Sequence, residues 1–108
     1  MSYLQIDHVA VRGIAAAVPS FIEDNKELPL LGTEAESAKF IETTGIEFRH
    51  MVMDSGLCTS DLAYEAALYL MKTLNWQPEE IDCLIFVSQT PDYILPATAP
   101  ILQHRLRD

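Results

Sequence analysis

The eight residues Ile81-Asp-Cys-Leu-Ile-Phe-Val-Ser88 constrain this chain more than any other stretch. Their central positions are apolar without a break. A strand formed from them must be covered on both faces, which is the habit of parallel sheets held between helices. The helix expected before this run fits such a layer. Ser60 is a good N-cap, and Asp61 and Glu65 suit the positive end of the helix dipole. Leu62, Ala66, Leu70 and Leu74 recur every four residues with Ala63, Ala67 and Met71 beside them, so one face is expected to be buried. Its many alanines allow close packing against a helix or a sheet. The fold class read from these patterns is α/β.

The rest of the chain can be read around that unit. Residues Ile6 to Val18 read as a long strand, with Gly13 permitting a bulge or a close backbone approach, and Pro19-Ser20 stops it. A short helix is expected around Phe21 to Glu27, ending near Pro29 and Gly32. Thr33 with Glu36 three residues later forms a capping-box pattern that starts a further helix. Gly45, following Thr43-Thr44, can take the left-handed conformation that closes this helix and leads into an extended segment, Ile46 to Val52. After Trp76, Gln77-Pro78-Glu79-Glu80 makes a turn. Thr90-Pro91-Asp92 and Pro96 make the next loop, and Thr98 can cap a last helix through Ile101, Leu102 and Leu106. No repeat, low-complexity tract or composition break marks a linker, and 108 residues amount to about one small domain. An order of β…αβ with a final helix that lacks a stop signal reads as an unfinished α/β layer.

Charge and cysteine content exclude several functions. Seven basic residues are scattered among sixteen acidic ones, for a net charge of −9, whereas binding a phosphate backbone needs a concentrated basic face. Nucleic acid is therefore not expected as a partner. No apolar run approaches the roughly 20 residues needed to span a bilayer, and the first residues lack the blocks of a signal peptide. The expected compartment is the cytoplasm, without membrane attachment. Cys58 and Cys83 form no CxxC pair and have no nearby Cys/His ligand spacing, so neither a disulfide framework nor a metal site is expected.

Few residues are candidates for chemistry on spacing alone. Cys58 precedes a helix start, where backbone N–H groups can favour a thiolate, although a lone cysteine near a cap is more simply a packed small residue. Cys83 lies mid-strand among Leu84, Ile85 and Phe86, where a thiolate is disfavoured. His8, His50 and His104 show neither metal spacing nor triad order. Asp92 is the acid of most interest, because loops after the carboxyl end of a buried strand are where α/β sheets bind ligands; the plainer reading is an Asx-turn that holds the loop. Glu79-Glu80 complements a helix start rather than forming a catalytic pair. Gly13 and Gly45 make no phosphate-binding pattern. These spacings specify an α/β piece and no active site.

Three ordered elements add to this picture. They are Phe40-Ile-Glu-Thr-Thr-Gly-Ile-Glu-Phe-Arg-His50, then Thr59-Ser-Asp-Leu-Ala-Tyr-Glu-Ala-Ala67, then the run from Ile81 through Thr90-Pro-Asp-Tyr-Ile-Leu-Pro-Ala-Thr-Ala99. In this order and spacing they resemble the N-terminal segment of β-ketoacyl-acyl carrier protein synthase III, a condensing enzyme of the thiolase superfamily. The resemblance implies a five-layer αβαβα fold of two similar halves, incomplete in this chain. Residues 1–108 would be the N-terminal portion of the first half, with no second domain. It also implies a dimeric, cytoplasmic acyltransferase of fatty acid or related biosynthesis, which joins an acyl primer to malonyl-acyl carrier protein with loss of carbon dioxide and without a bound cofactor or metal.

In that family the cysteine nucleophile comes a short stretch after the position of Leu106, and its His and Asn helpers come from the second half. The resemblance thus implies that no catalytic residue lies in this chain, and neither Cys58 nor Cys83 matches the nucleophile. On the substrate side, Thr90 matches a residue at the mouth of the acyl pocket. Leu95 matches one that crosses the dimer interface into the partner's acyl pocket, where a leucine in place of the frequent phenylalanine leaves room for longer or branched primers. Lys39 and Thr43 stand where many members place the Trp and Arg that clamp the adenine of coenzyme A, which favours a carrier-protein-bound primer over acyl-coenzyme A. The acidic chain does not itself recruit the acidic carrier protein, whose docking patch is expected on the other half. The competing reading is a non-catalytic small α/β interaction domain built on the same frame, and a stand-alone thiol enzyme using Cys58 is a third. The coding sequence beyond codon 108 separates these readings.

Overall fold

A computed structural model of the chain describes residues 3–27 and 32–108; Pro29, expected near a helix end, lies outside them. The chain forms two compact units, Val18–Cys58 and a second made of Met1–Ala17 with Thr59–Asp108.

In the first unit, strand β1 (Phe21–Asp24), helix α1 (Glu34–Thr44) and strand β2 (Phe48–Met51) follow one another. The helix expected over Phe21 to Glu27 is instead this strand and a turn. β1 pairs antiparallel with β2, Phe21 opposite Met51 and Asp24 opposite Phe48. Its ladder partner lies a whole helix away in sequence, and tertiary pairing of this kind overrides a weak local preference. Glu23 lies directly opposite Arg49, and the guanidinium is ion-paired with the carboxylate across the ladder. The pairing runs on past β1, because the buried Asn25 donates its backbone N–H to Glu47 O (2.9 Å) and its side-chain amide to Ile46 O (3.0 Å).

Helix α1 starts and stops where local chemistry dictates. Thr33 Oγ1 accepts from the Glu36 backbone N–H and donates to the Glu36 carboxylate at 2.7 Å, a variant of the expected capping box. Gly45 closes the helix with φ 72°, its N–H donating to Ile41 O at 2.8 Å. A Cβ at Gly45 would meet nothing within 4 Å, so the cost of Gly45→Ala is backbone strain alone. The expected loss is about 1–2 kcal/mol, read as a lower urea midpoint in the protein that carries this segment, with Gly45→Asn losing less.

The second unit contains helix α2 (Thr59–Leu74), a one-turn 3₁₀ segment at Pro78–Glu80 and helix α3 (Thr98–Arg107). The 3₁₀ turn is closed by Gln77 N–H donating to the Glu80 carboxylate at 2.7 Å, so this glutamate serves a cap as expected. α2 begins one residue before the expected Ser60 cap, and Ser60 is buried inside its first turn. α3 is preceded by Ala97 rather than capped by Thr98; Thr98 is its first residue, buried with its hydroxyl unpaired. α2 and α3 pack together, and Leu102 of α3 is the one apolar side chain fully buried among the described residues. Gly13 lies so close to α2 that a Cβ there would stand 2.8 Å from Leu70 Cδ1 and 3.4 Å from Leu74 Cδ1, the close backbone approach that the glycine permits.

The two long strands expected at Ile6 to Val18 and Ile81 to Ser88 join no ladder among the described residues. In the second stretch Leu84, Phe86 and Ser88 are half-buried, while Ile85 and Val87 are 82% and 88% exposed, the alternation of an extended chain covered on one face. Cys83 is exposed here as well. A parallel strand needs partners and covering helices supplied from far along a chain, and nothing among the described residues covers this second face.

Candidate functional site

In the second unit the loop after Ile81–Ser88 returns to the N-terminus of α2. Thr59 Oγ1 donates to Thr90 O at 2.8 Å and lies 3.1 Å from Thr90 Oγ1. Within the loop, the Thr90 N–H donates to Ser88 Oγ at 3.0 Å. Two residues on, Asp92 Oδ1 accepts the backbone N–H of Ser60 at 3.0 Å. The first amides of a helix lack partners within it, and a carboxylate there also meets the positive end of the dipole. Asp92 is therefore neither an Asx-turn former nor a free acid. It caps α2 from a distance in sequence.

Ser60 is held on its other side as well. Arg105 of α3 donates to Ser60 Oγ at 3.3 Å, pairs with Asp61 Oδ1 at 2.9 Å, and sets its guanidinium carbon 4.3 Å from the centroid of the Tyr64 ring. A cation at a helix N-terminus would oppose the dipole, and Asp61 and Asp92 offset it. Loop, α2 and α3 thus meet at one point. Sequence reasoning found Thr90 and Asp92 but missed Ser60 as a junction and Arg105 altogether, because their partners are remote in sequence.

Beyond Asp92 the loop stands away from this junction. Ile94 and Leu95 are exposed, Leu95 at 83%. A separate concavity of about 600 Å³ lies between the 3₁₀ turn, residues 81–84 and α3, lined by Met71, Ile81, Leu84 and Leu106 among others. Cys58 and Cys83 are exposed. His50 Nδ1 donates to Pro19 O at 2.6 Å, His104 lies 3.5 Å from Asp108, and His8 is exposed. Lys39 and Thr43 occupy one face of α1, Thr43 Oγ1 turned back on Lys39 O at 2.8 Å. Among the described residues no cluster of His, Cys, Asp or Glu is arranged to hold a metal, and no helix is long and apolar enough to cross a membrane. The geometry of the junction positions a loop.

No family model matches the sequence. Individual proteins do. A β-ketoacyl-[acyl-carrier-protein] synthase III 2 of Bacteroides thetaiotaomicron is 32% identical over 99 residues, 92% of this chain and 29% of the relative. A β-ketoacyl-[acyl-carrier-protein] synthase III of Rhodopirellula baltica is 38% identical over 99 residues, 91% of this chain and 28% of the relative. Among solved structures, a 3-oxoacyl-(acyl-carrier protein) synthase from Burkholderia xenovorans LB400 superposes with a TM-score of 0.74 at 38% identity, over 86% of this chain and 27% of that one. The chain therefore spans less than a third of the length of the relatives it matches. Its fold is that of a small α/β segment of a thiolase-like synthase.

Proposed function

Because this chain is, over about nine tenths of its length, a segment of the β-ketoacyl-[acyl-carrier-protein] synthase III family, we propose that the complete protein carrying it is an acyltransferase of that type. It condenses an acyl primer with malonyl-acyl carrier protein, releasing carbon dioxide, in fatty acid or related biosynthesis. The observation that carries this reading is the likeness to a solved synthase in both sequence, at 38% identity, and fold, at a TM-score of 0.74, over 86% of this chain.

In this reading the acyl group is held as a thioester on a cysteine outside residues 1–108. Loss of carbon dioxide from the malonyl thioester leaves an enolate, which attacks the acyl carbonyl and expels the cysteine thiolate. A His and an Asn, also outside these residues, stabilise the developing negative charge. The segment described here supplies the acyl side: Thr90 at the pocket mouth, tied to α2 through Thr59, and Leu95, whose exposure fits a side chain offered to a second protomer. The protein works as a cytoplasmic homodimer with acyl carrier protein as its partner and without a bound cofactor. Lys39 and Thr43, exposed on α1, offer no aromatic ring to stack on adenine, which favours a carrier-bound primer over acyl-coenzyme A.

The test is intact-mass spectrometry of the complete protein given acyl donors and malonyl-acyl carrier protein. Acylation of a cysteine outside residues 1–108 and a 3-oxoacyl product are expected, while the polypeptide 1–108 gains no acyl mass. Stoichiometric acylation of Cys58 would overturn the assignment.

A further inference from the structure

We propose that Asp92 is a positioning residue that sets acyl-chain discrimination by locking the loop from Thr90 to Leu95 onto the first turn of α2. The inference rests on the reading of that loop as the acyl side of the site, and goes beyond it by naming the device that fixes the loop.

Three bonds carry it. Asp92 Oδ1 holds the Ser60 N–H, Thr59 Oγ1 holds Thr90 O, and Arg105 holds Ser60 Oγ from the opposite side. Ser60 is buried and Asp92 half-buried, so their bond is shielded from competing water. Leu95 itself makes little contact within this chain, at 83% exposed. The angle at which it leaves the protein is therefore governed by the anchor three residues earlier. A carboxylate at a helix N-terminus has a two-fold benefit there, as hydrogen-bond acceptor and as a charge facing the dipole. Ser60 lies inside the first turn of α2, where its own hydroxyl cannot cap its own backbone N–H, and that hydroxyl accepts from Arg105. Asp92 touches no reacting atom in this scheme; it acts through the loop.

The experiment uses the complete synthase that carries this segment, comparing Asp92→Ala, Asp92→Asn and Thr59→Val with the unmutated enzyme. Amide hydrogen exchange of the peptide containing Ser60 reports the bond itself. Asp92→Ala should speed exchange about five- to tenfold, corresponding to a lost cap of roughly 1–1.4 kcal/mol, while Asp92→Asn, which keeps an acceptor oxygen, stays within about threefold. The ratio of kcat/KM for long over short primers reports the loop. It should move towards unity about fivefold or more in Asp92→Ala, recover in Asp92→Asn, and move in the same direction by a smaller factor in Thr59→Val, which tests the lock even where Asp92→Ala does not fold. Unchanged exchange in Asp92→Ala, or faster exchange with an unchanged primer ratio, overturns the proposal. An unmutated enzyme that condenses no primer overturns the underlying functional reading instead, and does so before any variant is compared.

Discussion

Expressed as a free polypeptide of 108 residues, this chain is expected to associate, to bind hydrophobic dyes and to show no cooperative melting transition. Leu4, Val11, Ile14, Ile85, Val87 and Ile94 all face solvent. Exposed apolar surface on that scale marks a surface made to be covered, and residues 82–88, which join no ladder among the described residues, add an edge open to strand addition. Sedimentation velocity, dye fluorescence and a thermal scan decide the matter together. A compact monomer that melts cooperatively would favour the self-contained interaction domain over the synthase segment.

The second large effect is expected at Leu95 in the complete enzyme. The proposal sets this side chain into the partner's acyl pocket, where Leu95→Phe adds a ring to a packed cavity. Overfilling costs on the order of 1–3 kcal/mol and should fall on long primers rather than on acetyl. At about 1.4 kcal/mol per tenfold change, the long-to-short preference in kcat/KM drops roughly five- to hundredfold. Carrier-protein and coenzyme A primers measured in parallel separate this effect from donor recognition at Lys39 and Thr43. Equal losses on acetyl and long primers would mean that Leu95 lines no pocket.

What was legible in the sequence depended on how far each signal had to reach. Helix α1 was readable because Thr33, Glu36 and Gly45 act on atoms within their own turn. α2 was readable from its four-residue spacing, but its cap was not, since the acceptor is Asp92 rather than Ser60. β1 was missed because its residues become a strand only against Phe48–Met51. The apolar run at 81–88 pointed to the α/β class, which the likeness to a solved synthase bears out, yet among the described residues it joins no sheet and is covered on one face only. In the candidate site, Thr90 and Leu95 came from family resemblance alone. The plain reading of residues reached Asp92 only as a loop acid, and nothing in the order of residues announces that Arg105 will reach Ser60.

The narrow gap beside Gly13 reaches further than packing. Leu70 Cδ1 occupies the space that a side chain at residue 13 would need, so the two positions share one volume although they are remote along the chain. Substitutions there are not independent: a side chain at 13 requires the end of Leu70 to swing aside, so its cost depends on what stands at 70, and the two free energies do not add. What position 13 tolerates is therefore set in part by position 70.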